Sequence, residues 1–281
     1  MPEALSEEVV HRDRHIDIRR YKIPARVPEA LRDHSHATDD IEIVLFRPRP
    51  LGGTPRPCVL VSPVLANSML LVGDFSRGFA RAGYHAAVVV RKEFEVADDM
   101  VIEDVETEFR LLVMRSKQAI DWLETRDDVD ATRFATFGIS AGSVIWACVA
   151  GADDRPKAHV LYLAGGPLAD VLVDTTEERF QKYAEELPGP ERSKEEIRSE
   201  LRRVLRTDPI NLAANVKTED VFMLLAKYDT AVPTRNGLML WNALGRPRMK
   251  MVPLGHYTAF LLLVWMQSQA NAFLGEKLGP P

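Results

Sequence analysis

Short apolar runs of strand length alternate with longer helix-like segments along most of the chain, and this alternation restricts the folds that it can adopt. Strands joined by helical crossovers produce such an order, because each crossover covers one face of a mostly parallel sheet. The sequence therefore predicts an α/β fold with helices on both faces of a central sheet. The predicted strands are 15–23, 41–48, 56–64, 84–92, the run that ends at Ser140, 157–166, 219–229 and 247–255. The first two are expected to form an antiparallel pair.

The helical segments are recognised by their periodicity and their ends. A helix is predicted over 67–83, where Gly83 ends it, and a long amphipathic helix over 102–126. A third follows Ser140, and a closing helix is predicted over 258–278. The apolar face of the long helix consists of Val105, Phe109, Leu112, Ile120 and Leu123.

Length and composition are those of an ordinary globular protein. The 281 residues, 46% hydrophobic and 27% charged, are read as one domain over 1–281, with 1–38 as an N-terminal extension. A net charge of −5 argues against nucleic acid as a partner, because there is no basic surplus to neutralise phosphates. The apolar closing helix, which carries a tryptophan, could supply an interface for a homo-oligomer.

The termini and cysteines indicate a cytoplasmic protein. The first residues are polar and acidic, so no secretory signal is expected. The longest apolar run, 259–266, is too short for a membrane span. Cys58 and Cys148 lie in apolar runs without CxxC or metal-ligand spacing and are expected to be buried, reduced thiols.

Residues 167–213 differ in character from the strands around them and are predicted to form a helical cap insertion. Asp174 with Glu177, and Ser193 with Glu196, have the spacing of helix-capping boxes. An apolar stripe follows the second of these starts: Ile197, Leu201, Val204 and Leu205. We expect the insertion to act as a lid that walls a pocket at the sheet edge; a solvated surface excursion is the alternative.

The first candidate catalytic residue lies in the pentad Gly-Ile-Ser-Ala-Gly, residues 138–142, where a strand-like run meets a helix-like run. Small residues are needed at a sharp strand-to-helix corner, because the two backbones nearly touch there. Such a corner raises the hydroxyl of Ser140 above the sheet edge, where it is a candidate nucleophile. The backbone N–H of Ala141, at the start of the next helix, is then a candidate donor to the developing oxyanion.

A serine nucleophile needs a base, and the base needs an acid that orients it. Among seven histidines, His256 directly follows a predicted strand, in the region where loops build the site of a parallel sheet. Asp229 ends the preceding strand and is the predicted acid, although it could simply cap the turn after it. Asp170 and Asp174 are the fallback acids.

The chain order Ser140, Asp229, His256 and the serine corner resemble those of α/β-hydrolases from about residue 40 onward. The segment from Asp208 to Phe260 is similar to that of bacterial carboxylic-ester hydrolases. The resemblance implies a nucleophile, acid and base in that chain order, with Ala141 in the oxyanion hole. Many members have a His-Gly pair after the third strand, where this chain has "SPVLANSM". The second oxyanion donor is therefore expected to be the amide of Val64 or Leu65. The alternative is that the Asn67 side chain contributes; otherwise Asn67 caps the following helix.

The predicted function is that of a serine esterase, a hydrolase that cleaves small-molecule carboxylic esters through a catalytic triad. A peptidase, amidase or thioesterase using the same residues is the near alternative. A non-catalytic binding protein of the same fold is a more distant one. No metal-ligand spacing, phosphate loop or dinucleotide motif is found, so neither a metal nor a cofactor is expected.

Overall fold

The strand-like segments of the sequence form one sheet in the computed structural model. The structure describes residues 3–50, 53–64, 69–91, 101–178, 181 and 192–281. The described strands are β1 (Ser6–Arg12), β2 (Ile16–Ile23), β3 (Ile41–Pro48), β4 (Arg56–Ser62), β5 (His85–Val90), β6 (Val129–Ile139), β7 (Pro156–Tyr162), β8 (Val221–Ala226) and β9 (Arg248–Val252). Their order across the sheet is β1-β2-β3-β5-β4-β6-β7-β8-β9.

Strand direction divides the sheet into two parts. From β5 across to β9 every neighbouring pair is parallel, whereas β1, β2 and β3 are joined to one another and to β5 in antiparallel fashion. The predicted antiparallel pair is thus β2 with β3, and the predicted mostly parallel α/β sheet is confirmed. Because parallel strands end at one edge, β6, β8 and β9 all deliver their following loops to the same side of the sheet.

The helices cover both faces. The described helices are α1 (Met69–Arg81), α2 (Ile102–Leu123), α3 (Ala141–Ala152), α4 (Leu168–Asp174), α5 (Lys194–Val204), α6 (Pro209–Leu212), α7 (Thr234–Ala243) and α8 (Leu263–Leu278). Residues of α1 and α8 pack in one apolar layer, and residues of α2, α3 and α7 in the other. None of these described helices has the length and apolar character needed to cross a membrane.

Three elements differ from the sequence-based expectation. Strand β1 was not predicted, because every one of its residues is exposed and no buried alternation marks it. Helix α7, between β8 and β9, was also not predicted. The closing helix is split: a 3₁₀ segment, Thr258–Leu262, precedes α8.

The described part of the 167–213 segment contains α4, α5 and α6. The capping box at Ser193 and Glu196 is present at the start of α5. The one expected at Asp174 is wrong, because Asp174 is the last residue of α4 and the Thr175 hydroxyl accepts the hydrogen bond from the Glu177 backbone N–H. The α5 stripe packs against α4 and α2: Ile197, Leu201 and Leu205 are buried in one cluster with Ile102, Val105, Leu168, Leu172 and Val173, and Val204 packs beside them.

One buried histidine links two strands of the parallel sheet. His159 of β7 is buried, and its Nδ1 lies 2.9 Å from the hydroxyl of Thr136 on β6. Burial lowers the pKa of His159 to about 4, against a smaller opposing effect of Asp220. The folded protein therefore keeps this ring neutral in a pH range where an unfolded chain would protonate it.

We expect His159 to make the free energy of unfolding fall as the pH is lowered. Its folded pKa lies below the ordinary value of 6.5, so its contribution is complete above that pH and is lost as the pH falls towards about 4. The loss amounts to about 3 kcal/mol at most for this range of pH. Urea unfolding at several pH values should show a shallower decline for His159→Asn than for wild type. His11→Asn, at an exposed position, serves as the control, and equal slopes for His159→Asn and wild type would contradict the assignment.

Candidate active site

Ser140 lies at the sharp corner between β6 and α3. Its backbone has φ 56° and ψ −127°, a left-handed φ that a serine adopts only when its surroundings impose it. The constraint comes from β7: the carbonyl oxygen of Tyr162 accepts hydrogen bonds from the Ser140 N–H and the Ser143 hydroxyl, both at 2.8 Å. The corner is therefore held in place by a neighbouring strand.

The two glycines of the pentad permit this corner because neither position has room for a side chain. A Cβ at Gly138 would lie 2.5 Å from the backbone of Gly142 and Ser143. A Cβ at Gly142 would lie 2.6 Å from the carbonyl oxygen of Ser62, at the end of β4. These obstacles are backbone atoms, so the start of α3 packs directly on β6 and β4 only if both residues are glycine.

The three predicted residues meet in one chain of hydrogen bonds. His256 Nε2 lies 3.0 Å from Ser140 Oγ, and His256 Nδ1 lies 2.7 Å from Asp229 Oδ2. A carboxylate can only accept, so Nδ1 carries the proton, and Nε2 of the neutral ring is free to accept from the serine hydroxyl. His256 and Asp229 are 6% and 7% exposed, so little solvent reaches their contact.

Asp229 uses both of its carboxylate oxygens. Oδ2 contacts His256, while Oδ1 accepts the backbone N–H groups of Ala231 and Val232 at 3.1 and 2.9 Å. One carboxylate therefore contacts both its own turn and His256, and its role as the orienting acid stays a prediction. The turn holds the carboxylate rigidly towards the imidazole.

The fallback acids lie elsewhere. Asp170 Oδ1 accepts from Arg202 at 2.7 Å, and Asp174 contacts Arg198 and Arg235. Both carboxylates therefore form ion pairs of the cap segment, and the carboxylate that contacts His256 belongs to Asp229.

The candidate oxyanion donors are described only in part. Ala141 is the first residue of α3 and lines the pocket beside Ser140, and the first N–H groups of a helix have no partner within it. The carbonyl oxygen of Val64 accepts a hydrogen bond from Arg91. Leu65, the other proposed donor, and Asn67 lie outside the described residues, so the second donor stays a prediction.

A mostly apolar pocket opens at Ser140. Three helices and the loop after β8 supply its apolar side chains: Val105, Phe109, Leu112, Val144, Ile145, Leu168, Val171, Leu172, Ala231 and Val232. Charged groups at its wall are Arg91, Glu108 and Glu177. An apolar group attached to a carbonyl at Ser140 would be removed from water here.

Contacts across the pocket involve residues that the sequence analysis did not select. The Tyr257 hydroxyl donates to Glu177, so the residue after His256 reaches the cap segment. Burial and this hydrogen bond raise the pKa of Tyr257 to about 12. Thr175 donates to the Ala231 carbonyl at 2.6 Å. Their only sequence signal was proximity to His256 or to the start of the insertion.

No group of three or more His, Cys, Asp or Glu side chains in the described ranges is arranged to hold a metal ion.

The site geometry agrees with a match to a known family. A sequence model described as the prolyl oligopeptidase family matches residues 116–258, just over half of the chain, including Ser140, Asp229 and His256. The chain belongs to the prolyl oligopeptidase family. No curated protein matches it at significant sequence similarity.

Solved structures similar to this prolyl oligopeptidase-family protein share its fold at low sequence identity. A cold-adapted esterase from an Arctic intertidal metagenomic library is 16% identical with a TM-score of 0.65, over 95% of this chain and 97% of that one. Acetyl xylan esterase from Paenibacillus sp. R4 is 16% identical with a TM-score of 0.70, over 95% and 88%. A puromycin-hydrolyzing peptidase of Mycobacterium tuberculosis is 18% identical with a TM-score of 0.66, over 94% and 40%. The predicted α/β-hydrolase fold is confirmed.

We expect Gly142→Ala to destabilise the fold, because the alanine Cβ would lie 2.6 Å from the Ser62 carbonyl oxygen. Overpacking of this kind typically costs about 1–3 kcal/mol of unfolding free energy. Gly275→Ala in α8 is the matched control, since the nearest atom there is the Tyr84 hydroxyl at 3.9 Å. Of the two variants, only Gly142→Ala should lower the melting temperature. An unchanged melting temperature for Gly142→Ala would contradict the close backbone contact.

Asp229→Asn should strongly impair turnover. The amide presents a donor where the Nδ1–H needs an acceptor, so the imidazole adopts the wrong tautomer, a change that costs about 10⁴ in kcat in a comparable triad. Steady-state kinetics on an activated ester measures the loss. Asp174→Asn, the same change at a fallback acid, should retain most of the activity. The reverse ranking of the two variants would transfer the role of the acid to the start of the cap segment.

Proposed function

We propose that the protein is a serine hydrolase that cleaves small-molecule carboxylic esters through an acyl-enzyme. The observation that carries the proposal is the uninterrupted hydrogen-bond chain from Ser140 Oγ through His256 to Asp229, at 3.0 and 2.7 Å. Each of the three side chains is supplied by the carboxyl end of a different strand. A nucleophile, base and acid within hydrogen-bond distance are what acyl transfer by serine requires.

The first step would transfer the Ser140 proton to His256 Nε2 while Oγ attacks the ester carbonyl. The imidazolium that forms is stabilised by the Asp229 carboxylate, whose other oxygen is already held by two backbone amides. The N–H of Ala141 would donate to the oxyanion, with a second amide after β4 as its partner. His256 then protonates the departing alcohol and activates a water molecule that hydrolyses the acyl-serine.

The lining of the pocket favours an ester with an apolar acyl group. Apolar side chains form most of the described lining beside Ser140. A peptide segment in this space would bring N–H and C=O groups that lose their hydrogen bonds to water, at a cost of about 1–3 kcal/mol for each group left unpaired. An acyl chain has no such groups. The esterases that this chain resembles in fold are in accord with an ester substrate.

Peptide or amide hydrolysis is the second candidate, and the family match favours it. The matching family is named for an oligopeptidase, and one similar structure is described as a puromycin-hydrolyzing peptidase. Ser140, His256 and Asp229 would perform the same steps on an amide, with an amine as the leaving group. The carboxylates Glu108 and Glu177 at the pocket wall are the groups that a cationic amine would contact.

Ser140→Ala should abolish hydrolysis, because removal of the nucleophile typically lowers kcat by about 10⁴–10⁶. The measurement is a panel of p-nitrophenyl esters, acyl thioesters and aminoacyl anilides on one preparation, with circular dichroism to confirm folding of the variant. Esters should be the best substrates, and a fluorophosphonate should label Ser140. Higher kcat/KM for anilides would replace the esterase proposal by the peptidase one. Undiminished hydrolysis by Ser140→Ala would remove both.

A further inference from the structure

A buried carboxylate closes the base of the cap segment. Asp208, 4% exposed, directly precedes α6 and accepts the Ile210 N–H through Oδ1 at 2.8 Å. Its other oxygen, Oδ2, accepts the N–H of Leu168 at 2.6 Å. The Asp208 side chain thus connects Leu168, the first residue of α4 at the start of the cap segment, to Ile210 at the end of that segment.

The Leu168 end of this contact belongs to the pocket wall. Leu168, Val171 and Leu172 of α4 all line the space beside Ser140. The residue before the helix, Pro167, has no side chain that can cap it. The Leu168 N–H is one of the donors that a helix cannot satisfy internally, and Asp208 supplies the acceptor.

The segment that carries Asp208 is itself attached to the opposite wall. Glu106 of α2 accepts the backbone N–H groups of Arg206 and Thr207, each at 2.8 Å, and the Thr207 hydroxyl at 2.9 Å. Helix α2 also supplies Val105, Phe109 and Leu112 to the pocket. A hydrogen-bonded connection therefore runs from α2 through Glu106, residues 206–208 and Asp208 to the first residue of α4.

We propose that Asp208 is a positioning residue that sets the separation of the α2 and α4 walls, and thereby the length of the acyl chain that is hydrolysed best. The inference rests on the proposed ester hydrolysis at Ser140. A carboxylate is required because both of its contacts are backbone donors, and an amide would turn one N–H group against another. Burial raises the pKa of Asp208 above its ordinary value, with a further contribution from the nearby carboxylates of Asp170 and Glu106, and its two backbone amide contacts offset only part of this effect.

Two variants separate this role from general stability. Asp208→Asn keeps the size of the side chain but has one acceptor fewer. Asp208→Ser can still cap α6 through Ile210, as serine commonly does at this position, but is too short to reach Leu168. Glu196→Gln, a carboxylate-to-amide change at the exposed start of α5, is the matched control.

The experiment measures kcat and KM for p-nitrophenyl esters from acetyl to decanoyl, well below the melting temperature of every variant. An acetyl group has only one methyl group to contact the pocket walls, so its kcat/KM should stay within about threefold of wild type in both Asp208 variants. For the chain length that wild type prefers, kcat/KM should fall at least about tenfold, mainly through KM, and the optimum should move by two carbons or more. Glu196→Gln should reproduce the wild-type profile.

An equal loss for all chain lengths, or an unchanged profile in Asp208→Ser, would overturn the inference. If Asp208→Asn does not fold, Asp208→Ser decides, because it retains the cap of α6. If wild type hydrolyses esters through Ser140 and neither variant changes the chain-length profile, only the role of Asp208 is contradicted. Absence of ester hydrolysis in wild type removes the proposed function, and the role of Asp208 with it.

Discussion

The close packing of the α3 backbone against β6 and β4 is the constraint from which the rest of the site follows. Helix α3 begins directly against the ends of β6 and β4, because Gly138 and Gly142 have no Cβ to separate them. Ser140 is thereby forced to a left-handed φ of 56°, and the carbonyl oxygen of Tyr162 holds its N–H. Strain of this kind persists only where the surroundings over-determine it, and here three neighbouring parallel strands do so. At this corner the Ser140 Oγ lies 3.0 Å from His256 Nε2.

The loop after β8 combines two tasks that are often assigned to different residues. Asp229 ties its own turn together through Oδ1 and orients His256 through Oδ2, while the same turn contributes Ala231 and Val232 to the pocket. Thr175, at the end of α4, hydrogen-bonds the Ala231 carbonyl. Asp229, His256 and the pocket wall are therefore connected by hydrogen bonds through one turn. A displacement of the cap segment would reach the imidazole through only a few hydrogen bonds.

The cap segment is held in place by two kinds of interaction, apolar packing and ion pairs, and these differ in strength. The α5 stripe is buried against α4 and α2, so its contribution is the removal of apolar surface from water. The ion pairs of Asp170 and Asp174 with Arg198, Arg202 and Arg235 lie at the partly exposed rim, where solvent screens them. Because the stripe packs behind α4, the cap helix that lines the described pocket is α4. The role of α5 is to support it.

Local signals in the sequence determined the candidate site residues and the class of the fold. The pentad around Ser140, the capping box at Ser193 and the strand-helix alternation each depend on neighbours within a few residues, and the structure contains all three. Asp229 and His256 were found because the ends of parallel strands meet at one edge of a sheet. Only the tertiary structure decided the shape of the pocket. Its walls come from α2 and α4, more than 40 residues apart, and Asp208 reaches Leu168 across 40 residues. Such contacts produce no periodic pattern in the sequence, because each contact depends on a residue that is far away along the chain.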